Sequence, residues 1–325
     1  MLRTVHQTRI ALGTSITLLM VTKQSESVTD QIFRQLWLKI FWFEKRFSRF
    51  LPDSEISQFN QAAGTRQYIS PEFHDVLVAA RDMSLLSGGL FNLFILPALQ
   101  RAGYKQSLVF QYSKDASYDY SNRTVVGIES LKMGDDWAEI PYGTTVDIGG
   151  CGKGYIGDEL ARAMQAFPDI TGYWFSVGGD VVAYGSDCYG TPWAIQIDSA
   201  KRGRTYAGSV VMTQEEVQAN TVVAVATSSV VKRGGVHNGK RWHHIIDPRT
   251  GDPSDSDVVT STVRAGTLIE ADVMASNVII VGSKEAVAYC ADHNRAVQGM
   301  LLQCKDRTGH WRDMLNGHGI NGADA

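Results

Sequence analysis

The sequence predicts an α+β fold with mixed, largely antiparallel sheets and flanking helices. Two observations support this class: short strand-like runs dominate the middle and the C-terminal part of the chain, and helices lie between them at irregular intervals. A doubly wound parallel sheet would need a regular alternation of strand and helix, which this sequence lacks. The composition fits a folded protein, because 44% of the 325 residues are hydrophobic and 20% are charged.

The first elements are a strand and a long helix. The alternation of Ile16, Leu18 and Met20 predicts the first strand. Apolar residues at steps of three and four then predict an amphipathic helix over 26–47, and a short helical turn follows at 55–60.

A second long helix has clear start and stop signals. Ser70 is a typical N-cap, Pro71 suits the first turn, and Gly88-Gly89 ends the helix. Further strands are predicted at 145–148, 173–177, 181–184, 193–197, 207–212, 221–226 and 258–263, and further helices at 153–166, 268–279 and 284–293. We expect one domain over 1–315, either undivided or formed by two subdomains with a cleft between them, and a flexible tail over 316–325.

The overall charge excludes some classes of partner. Lys and Arg number 31 against 34 Asp and Glu, which gives a net charge of −3 and no electrostatic reason to expect nucleic acid or an anionic membrane as partner. No apolar run approaches the ~20 residues of a membrane span. The N-terminus resembles a signal peptide, because Arg3 and Arg9 precede the apolar stretch 10–21. However, polar residues interrupt this stretch and no cleavage site follows it. We therefore expect a cytoplasmic protein.

The segment 146–155 carries the strongest chemical signal. A predicted strand runs into several glycines and Lys153, and then into a helix. Glycines allow a close backbone approach, and amides at a helix N-terminus attract phosphate. The segment matches neither the Walker A motif nor the dinucleotide motif GxGxxG. It is either a phosphate-binding turn or a tight strand-to-helix turn with a solvated lysine.

Three further segments offer polar groups. Asp180 ends a glycine turn and is by itself a typical turn residue, while Thr227 and Ser228 follow an apolar strand as a polar loop would. His244 precedes a turn that begins at Asp247. A neutral histidine there is either a general base near pH 7 or a structural side chain.

Asp272 and Ser276 lie four residues apart on a predicted helix, so their side chains share one face. A carboxylate and a hydroxyl are hard oxygen ligands that suit Mg²⁺ better than Zn²⁺. Two ligands cannot complete an octahedron, and a carboxylate near a helix N-terminus is common without any metal.

Taken together and in order, these segments resemble the ApbE family, the FAD:protein FMN transferases. The resemblance extends over nearly the whole chain, and its most specific parts are the glycine turn that ends in Lys153-Gly-Tyr155 and the segment from His244 to Gly251. It implies a fold built around a flavin-nucleotide cleft. It also implies a Mg²⁺-dependent transfer of the FMN part of FAD, the substrate, to a Thr or Ser hydroxyl of an acceptor protein, with release of AMP.

The resemblance also implies roles for individual residues. The metal would be held by Gly152 through its carbonyl and by Asp272 and Ser276 through their side chains. His244 would assist attack by the acceptor hydroxyl, Asp247 would fix its turn, and Lys153 would face the phosphates. The groups that would position FAD are Asn60, Asp147, Lys153, Asp180, Thr227, Ser228 and His244.

Some positions depart from the family pattern. Leu12 replaces Met, Asn92 replaces Asp, Gly152 replaces Ala, and Ser276 replaces Thr. Gly152 and Ser276 still offer the carbonyl and hydroxyl oxygens that would bind the metal. Many relatives act outside the cytoplasm, so a periplasmic location is the alternative to the cytoplasmic one.

Two alternative functions stay open at this stage. Water in place of the acceptor hydroxyl would make the protein a Mg²⁺-dependent FAD pyrophosphatase that yields FMN and AMP. A non-catalytic flavin-binding protein would need neither His244 nor the oxygen pair Asp272 and Ser276, so we favour the transferase.

Overall fold

The computed structural model describes residues 1–104, 125–231, 233–237, 240–294 and 296–323. Its helices are α1 (Glu26–Phe47), α2 (Glu55–Gln61), α3 (Pro71–Leu86), α4 (Leu96–Arg101), α5 (Gly152–Met164), α6 (Gln214–Gln218), α7 (Leu268–Val281) and α8 (Ala286–His293). Its strands are β1 (Arg3–Ala11), β2 (Thr14–Thr22), β3 (Gln67–Tyr68), β4 (Lys132–Met133), β5 (Trp137–Glu139), β6 (Ile170–Val177), β7 (Asp180–Gly185), β8 (Ala194–Asp198), β9 (Tyr206–Val211), β10 (Val222–Ser229), β11 (Gly234–His237), β12 (Lys240–His243), β13 (Ile246–Asp247), β14 (Asp252–Pro253), β15 (Val258–Ala265), β16 (Gly299–Lys305), β17 (Trp311–Gly317) and β18 (Ile320–Gly322).

A large antiparallel sheet organises the fold. Its eight strands lie in the order β1-β2-β6-β7-β10-β15-β16-β17. Each neighbouring pair in this sheet is antiparallel. The α+β prediction is therefore confirmed, and helices α1, α5 and α7 belong to the main hydrophobic cluster with this sheet.

The strand predicted from Ile16, Leu18 and Met20 is β2, the second strand of the chain. β1 precedes β2 and pairs with it in a hairpin. The residues of β1 are mostly exposed and show no apolar pattern from which a strand could be predicted. Leu12 and Gly13 join the two strands with φ values of 54° and 67°. Positive φ at both central residues is the conformation of the tightest hairpin turns, which suits glycine but strains leucine.

Helix α7 is the central helix of the molecule. Eleven of its side chains are buried, including Asp272, and it packs against α5, β10 and β15. Its contact with α5 depends on Gly154, because a Cβ atom there would come within 2.7 Å of the Leu268 carbonyl oxygen. Asp158 strengthens the contact by accepting hydrogen bonds from the amides of Leu268 and Ile269 at 2.7 and 2.9 Å. The two helices thus hold the glycine turn close to Asp272.

Substitution of Gly154 by alanine is expected to lower the free energy of unfolding by about 1–3 kcal/mol, because the added methyl group forces the two helix backbones apart. Urea unfolding measures this change. Gly152→Ala is the matched control, since a Cβ at Gly152 finds its nearest neighbour at 3.6 Å and alanine favours helix. Equal stability of the two variants would contradict the proposed close contact.

A smaller sheet lies on the other face of the large one. It has the order β18-β9-β8 and shares a second hydrophobic cluster with residues of β7, β10 and β16. β8 alternates strictly between exposed and buried residues, as expected for a strand with one packed face. The large sheet therefore carries helices on one face and this small sheet on the other.

Two predictions about local structure are wrong. Residues 145–148 form no strand pairing, because the side chain of Asn60 takes the place of a partner strand: its Oδ1 accepts from the Val146 amide at 2.7 Å and its Nδ2 donates to the Val146 carbonyl at 2.9 Å. The expected flexible tail is paired over 316–322, since β17 extends to Gly317 and β18 pairs with β9. Ile320, which is buried, anchors this last strand.

Among the residues that the structure describes, no helix combines the length and the apolar character that a membrane span requires.

Candidate active site

One large cleft of about 1290 Å³ contains most of the predicted site residues. Its lining includes the β1–β2 and β6–β7 turns, strand β8, the end of β10, the glycine turn before α5 and one face of α7. Ligand pockets usually measure about 300–1,000 Å³. The cleft is thus large enough for a dinucleotide and part of a second molecule.

Lys153 lies at the N-terminus of α5 between two carboxylates. Its Nζ forms a salt bridge with Asp180 and lies 3.6 Å from Oδ1 of Asp272. Both aspartates are buried, with 1% and 4% of their surface exposed. The second oxygen of Asp180 accepts from the Thr227 amide at 3.0 Å. Two predicted carboxylates from different parts of the chain therefore meet at the ammonium group of Lys153.

Oxygen groups suitable for a metal ion lie beside this lysine. Oδ2 of Asp272 accepts from the Gly154 amide at 3.2 Å, and Oγ of Ser276 lies 2.7 Å from Oγ of Ser228. Gly152, Asp272 and Ser276 all line the cleft. Across the described ranges no three His, Cys, Asp or Glu side chains form a metal cluster. The donor set of carboxylate, hydroxyl and backbone carbonyl fits a hard cation such as Mg²⁺.

Asp147 and Asn60 fix the segment that directly precedes the glycine turn. Asp147 is 8% exposed, and burial raises its pKa, while the guanidinium of Arg49 opposes this shift. Nε of Arg49 lies 3.2 Å from Oδ1 of Asp147. Asn60 holds the preceding residue, as described above, and is not among the residues that line the cleft. Its observed role is to position the segment that carries Asp147.

Sequence reasoning missed Arg49 and Tyr104, which lie together in the cleft. The Arg49 guanidinium carbon lies 5.0 Å from the Tyr104 ring centroid and 4.2 Å from that of Phe50. Such stacking is typical of arginine. The only available signal was a basic residue beside Phe50, and no spacing rule identifies such a residue as functional.

His244 lies in the same cleft with its ring orientation fixed. Its Nδ1 lies 3.2 Å from the carbonyl oxygen of Arg233, and its backbone amide donates to that same oxygen at 3.1 Å. A carbonyl oxygen only accepts, so Nδ1 carries the proton and the lone pair of Nε2 is free to accept one. Burial, with a smaller effect from the Arg233 cation, lowers the pKa of His244 to about 3. The ring is therefore neutral at pH 7.

The lowered pKa of His244 predicts that acid destabilises the protein through this residue. The folded pKa lies near 3 and the usual value near 6.5, so protons bind the unfolded chain first. The contribution of neutral His244 to the free energy of unfolding is fully present above about pH 6.5 and is lost as the pH falls toward 3. Between about pH 7 and 4, wild type is expected to lose roughly 1–3 kcal/mol more stability than His244→Gln. Urea unfolding of both proteins at several pH values tests this, and parallel curves would contradict it.

Asp247 occupies a turn outside the cleft lining. Its carboxylate accepts from Nε of Arg249 at 2.9 Å and from Nη2 at 2.7 Å, and its carbonyl accepts from the Gly251 amide at 2.8 Å. These bonds close the turn that follows His244. Asp247 is thus a positioning residue rather than one that touches the reacting groups.

The remaining predicted residues line the cleft. Thr227 and Ser228 end β10 there, and the Thr227 hydroxyl also contacts that of Thr262 at 2.8 Å. Leu12, in the hairpin turn, also lines the cleft. Asn92 caps the following helical turn, since its Oδ1 accepts from the Phe94 amide at 2.8 Å. Asn92, which stands where the family pattern has Asp, thus has a structural role as a helix cap.

Comparisons with known proteins agree with this geometry. The chain is 26% identical over 266 residues to the FAD:protein FMN transferase of Klebsiella pneumoniae (strain 342), which covers 78% of this chain and 72% of that protein. The Haemophilus influenzae protein of the same name is 25% identical over 259 residues, with 78% and 73% covered.

Solved structures show the same fold. The flavinyl transferase ApbE of Pseudomonas stutzeri in its apo form superposes with a TM-score of 0.81 at 18% identity, covering 97% of this chain and 95% of that one. The ApbE protein of Thermotoga maritima gives 0.79 at 21% identity, with 95% and 96% covered. A sequence model of the ApbE family matches residues 12–301. The resemblance inferred from the motifs is confirmed: this chain belongs to the ApbE family.

Proposed function

We propose that this protein transfers the FMN part of FAD to a Thr or Ser hydroxyl of an acceptor protein, with Mg²⁺ as cofactor and AMP as second product. One observation carries the proposal. A lysine, a set of hard oxygen donors and a neutral histidine with a free Nε2 line the same cleft. Family membership and the names of the relatives support the same activity.

The reaction needs negative charge to be stabilised on the diphosphate of FAD. Asp272, Ser276 and the Gly152 carbonyl are the groups that would hold Mg²⁺, which when bound neutralises charge on phosphoryl oxygens. Lys153 and the amides at the start of α5 supply further positive charge toward the phosphates. Asp180 holds the Lys153 ammonium through their salt bridge and also accepts from the Thr227 amide, which fixes one wall of the site.

The proton of the acceptor hydroxyl is taken by His244. The acceptor oxygen forms a bond to the phosphorus on the FMN side, and the bond from that phosphorus to the bridging oxygen breaks. The proton passes to Nε2 of His244, and AMP leaves with the bridging oxygen. His244 then releases the proton to solvent. The Arg233 carbonyl bound at Nδ1 stabilises the protonated ring during this step, as expected for an oriented general base.

The transfer is tested by incubating the purified protein with FAD, Mg²⁺ and proteins co-purified from the same host. We expect a fluorescent flavin band on a denaturing gel and faster loss of FAD with an acceptor than without. Free FMN and AMP without a labelled protein would favour the pyrophosphatase, and bound but unchanged FAD would favour a flavin-binding protein. The cytoplasmic location stays a prediction.

A further inference from the structure

The strand β8 presents an open edge to the cleft. In its sheet, β8 pairs with β9 on one side, and within the described ranges no strand pairs with its other side. Residues from Ala194 to Ala200 nevertheless line the same cleft as Lys153 and His244. An exposed edge usually invites pairing with another chain. Here that edge forms a wall of the active site.

The hydrogen-bond pattern identifies which backbone groups face the cleft. The Met212 amide donates to the Trp193 carbonyl at 2.9 Å, and the Ser199 amide donates to the Thr205 carbonyl at 2.9 Å. These bonds direct the odd-numbered residues of β8 toward β9. Because antiparallel strands alternate, the N–H and C=O groups of Ala194 and Gln196 point to the open edge.

Within the described ranges these outward groups have no protein partner. No hydrogen bond joins the N–H or C=O of Ala194 or Gln196 to another group in that part of the chain. The next outward carbonyl, that of Asp198, accepts from Nε2 of Gln303 at 3.0 Å and ends the free edge beside a bulge. Both Ala194 and Gln196 are exposed, so a ligand reaches them.

We infer that the acceptor protein enters the cleft as an extended segment that adds a strand to the open edge of β8. This inference rests on the proposed function and names how its partner binds. A polypeptide matches a row of alternating donors and acceptors, whereas the phosphates of FAD match the lysine and the amides at the start of α5. An extended segment also carries its hydroxyl into a cleft that a helix, about 10 Å across, would not enter easily. The cleft volume of about 1290 Å³ leaves room for both molecules.

The first test is a substitution that removes one outward donor. Gln196→Pro deletes the N–H that faces the cleft and leaves the bonds to β9 unchanged, which edge strands tolerate. We expect kcat/KM for the acceptor to fall about tenfold, with unchanged acceptor-independent release of FMN from FAD. Gln196→Ala, which keeps the backbone donor, is the matched control and is expected to behave as wild type. Equal transfer by the two variants would contradict strand addition.

The second test observes the edge directly and needs no FAD. The probe is an acetylated decapeptide of alternating Thr and Lys, which presents a threonine in every two-residue register and stays soluble. Hydrogen exchange at the amides of Ala194 and Gln196 should slow with this peptide, but not with the same peptide N-methylated at alternate residues. Unchanged exchange at both amides would overturn the inference, and so would protection that rises with protein concentration alone, because two copies would then pair through β8.

The two tests separate the inference from the proposed function. Slower exchange with the peptide, together with no flavin-labelled protein in the gel assay, would contradict the transferase and support strand addition. FMN transfer to the peptide without protection at Ala194 and Gln196 would support the transferase and contradict strand addition.

Discussion

Replacement of His244 by alanine is expected to lower the rate of FMN transfer by about 10²–10⁴-fold, the usual effect of losing a general base. FAD affinity should change little, because the proposed function places the phosphates at Lys153 and at the start of α5. Nδ1 bonded to the Arg233 carbonyl leaves Nε2 as the only free base on the ring. Single-turnover transfer with saturating FAD and acceptor measures the rate, and flavin fluorescence titration measures the affinity.

Chemical rescue distinguishes a catalytic loss from a folding defect. Added imidazole fills the space left by His244→Ala and should restore part of the transfer rate, with no effect on wild type. The exposed His318 provides the control, since His318→Gln should transfer FMN as wild type does. Loss of FAD binding together with the rate, and no rescue, would make His244 a binding or folding residue.

Replacement of Asp272 by alanine is expected to lower transfer by about 10²–10³-fold, because Lewis-acid stabilisation is worth several kcal/mol and each 1.36 kcal/mol is a factor of ten. The carboxylate is buried beside Lys153 and is the only charged member of the oxygen set. Excess Mg²⁺ should restore the rate only in part, and the Mg²⁺ concentration that gives half-maximal activity should rise. Transfer rates across a Mg²⁺ titration provide the measurement.

Glu270 on the same helix supplies the matched control. It belongs to the capping box of α7 and does not line the cleft, and Gln keeps its capping ability. Glu270→Gln should therefore keep both the rate and the Mg²⁺ dependence of wild type. An unchanged Mg²⁺ dependence in Asp272→Ala would contradict the metal assignment. Asp272→Ala also removes the hydrogen bond from the Gly154 amide. Urea unfolding of this variant and wild type measures how far that loss lowers the stability, so that the effect on catalysis is judged separately.

The chemistry of the site could be predicted because each part of it is local in sequence. The spacing of Asp272 and Ser276 places both on one helix face. The glycines before Lys153 predict that the backbone approaches a ligand closely. The positions of these segments relative to each other came only from the family resemblance. The structure explains their meeting through the close contact of α5 and α7 at Gly154.

Other features depend on contacts that no local pattern encodes. Arg49 pairs with Asp147 across nearly a hundred residues, and no motif spacing links the two positions. The extended segment after Thr144 shows the same limit: it has the composition of a strand, but the Asn60 side chain satisfies its backbone. Strand β8 was predicted, whereas its open edge follows from the sheet order.

In the proposed function and the strand-addition inference, the two substrates bind different parts of one cleft. The glycine turn, α7 and the end of β10 carry the charged and polar groups for a diphosphate, and β8 carries unpaired backbone groups. Both walls depend on the large sheet, which supports helices on one face and the small sheet on the other.

The mass of the acceptor protein after incubation with wild-type enzyme, FAD and Mg²⁺ tests the transferase most directly. The acceptor should gain the mass of FMN less one water, fragmentation should locate the addition on a Thr or Ser hydroxyl, and AMP should appear in equal amount. An acceptor of unchanged mass beside free FMN and AMP, or beside intact FAD, would contradict the transfer.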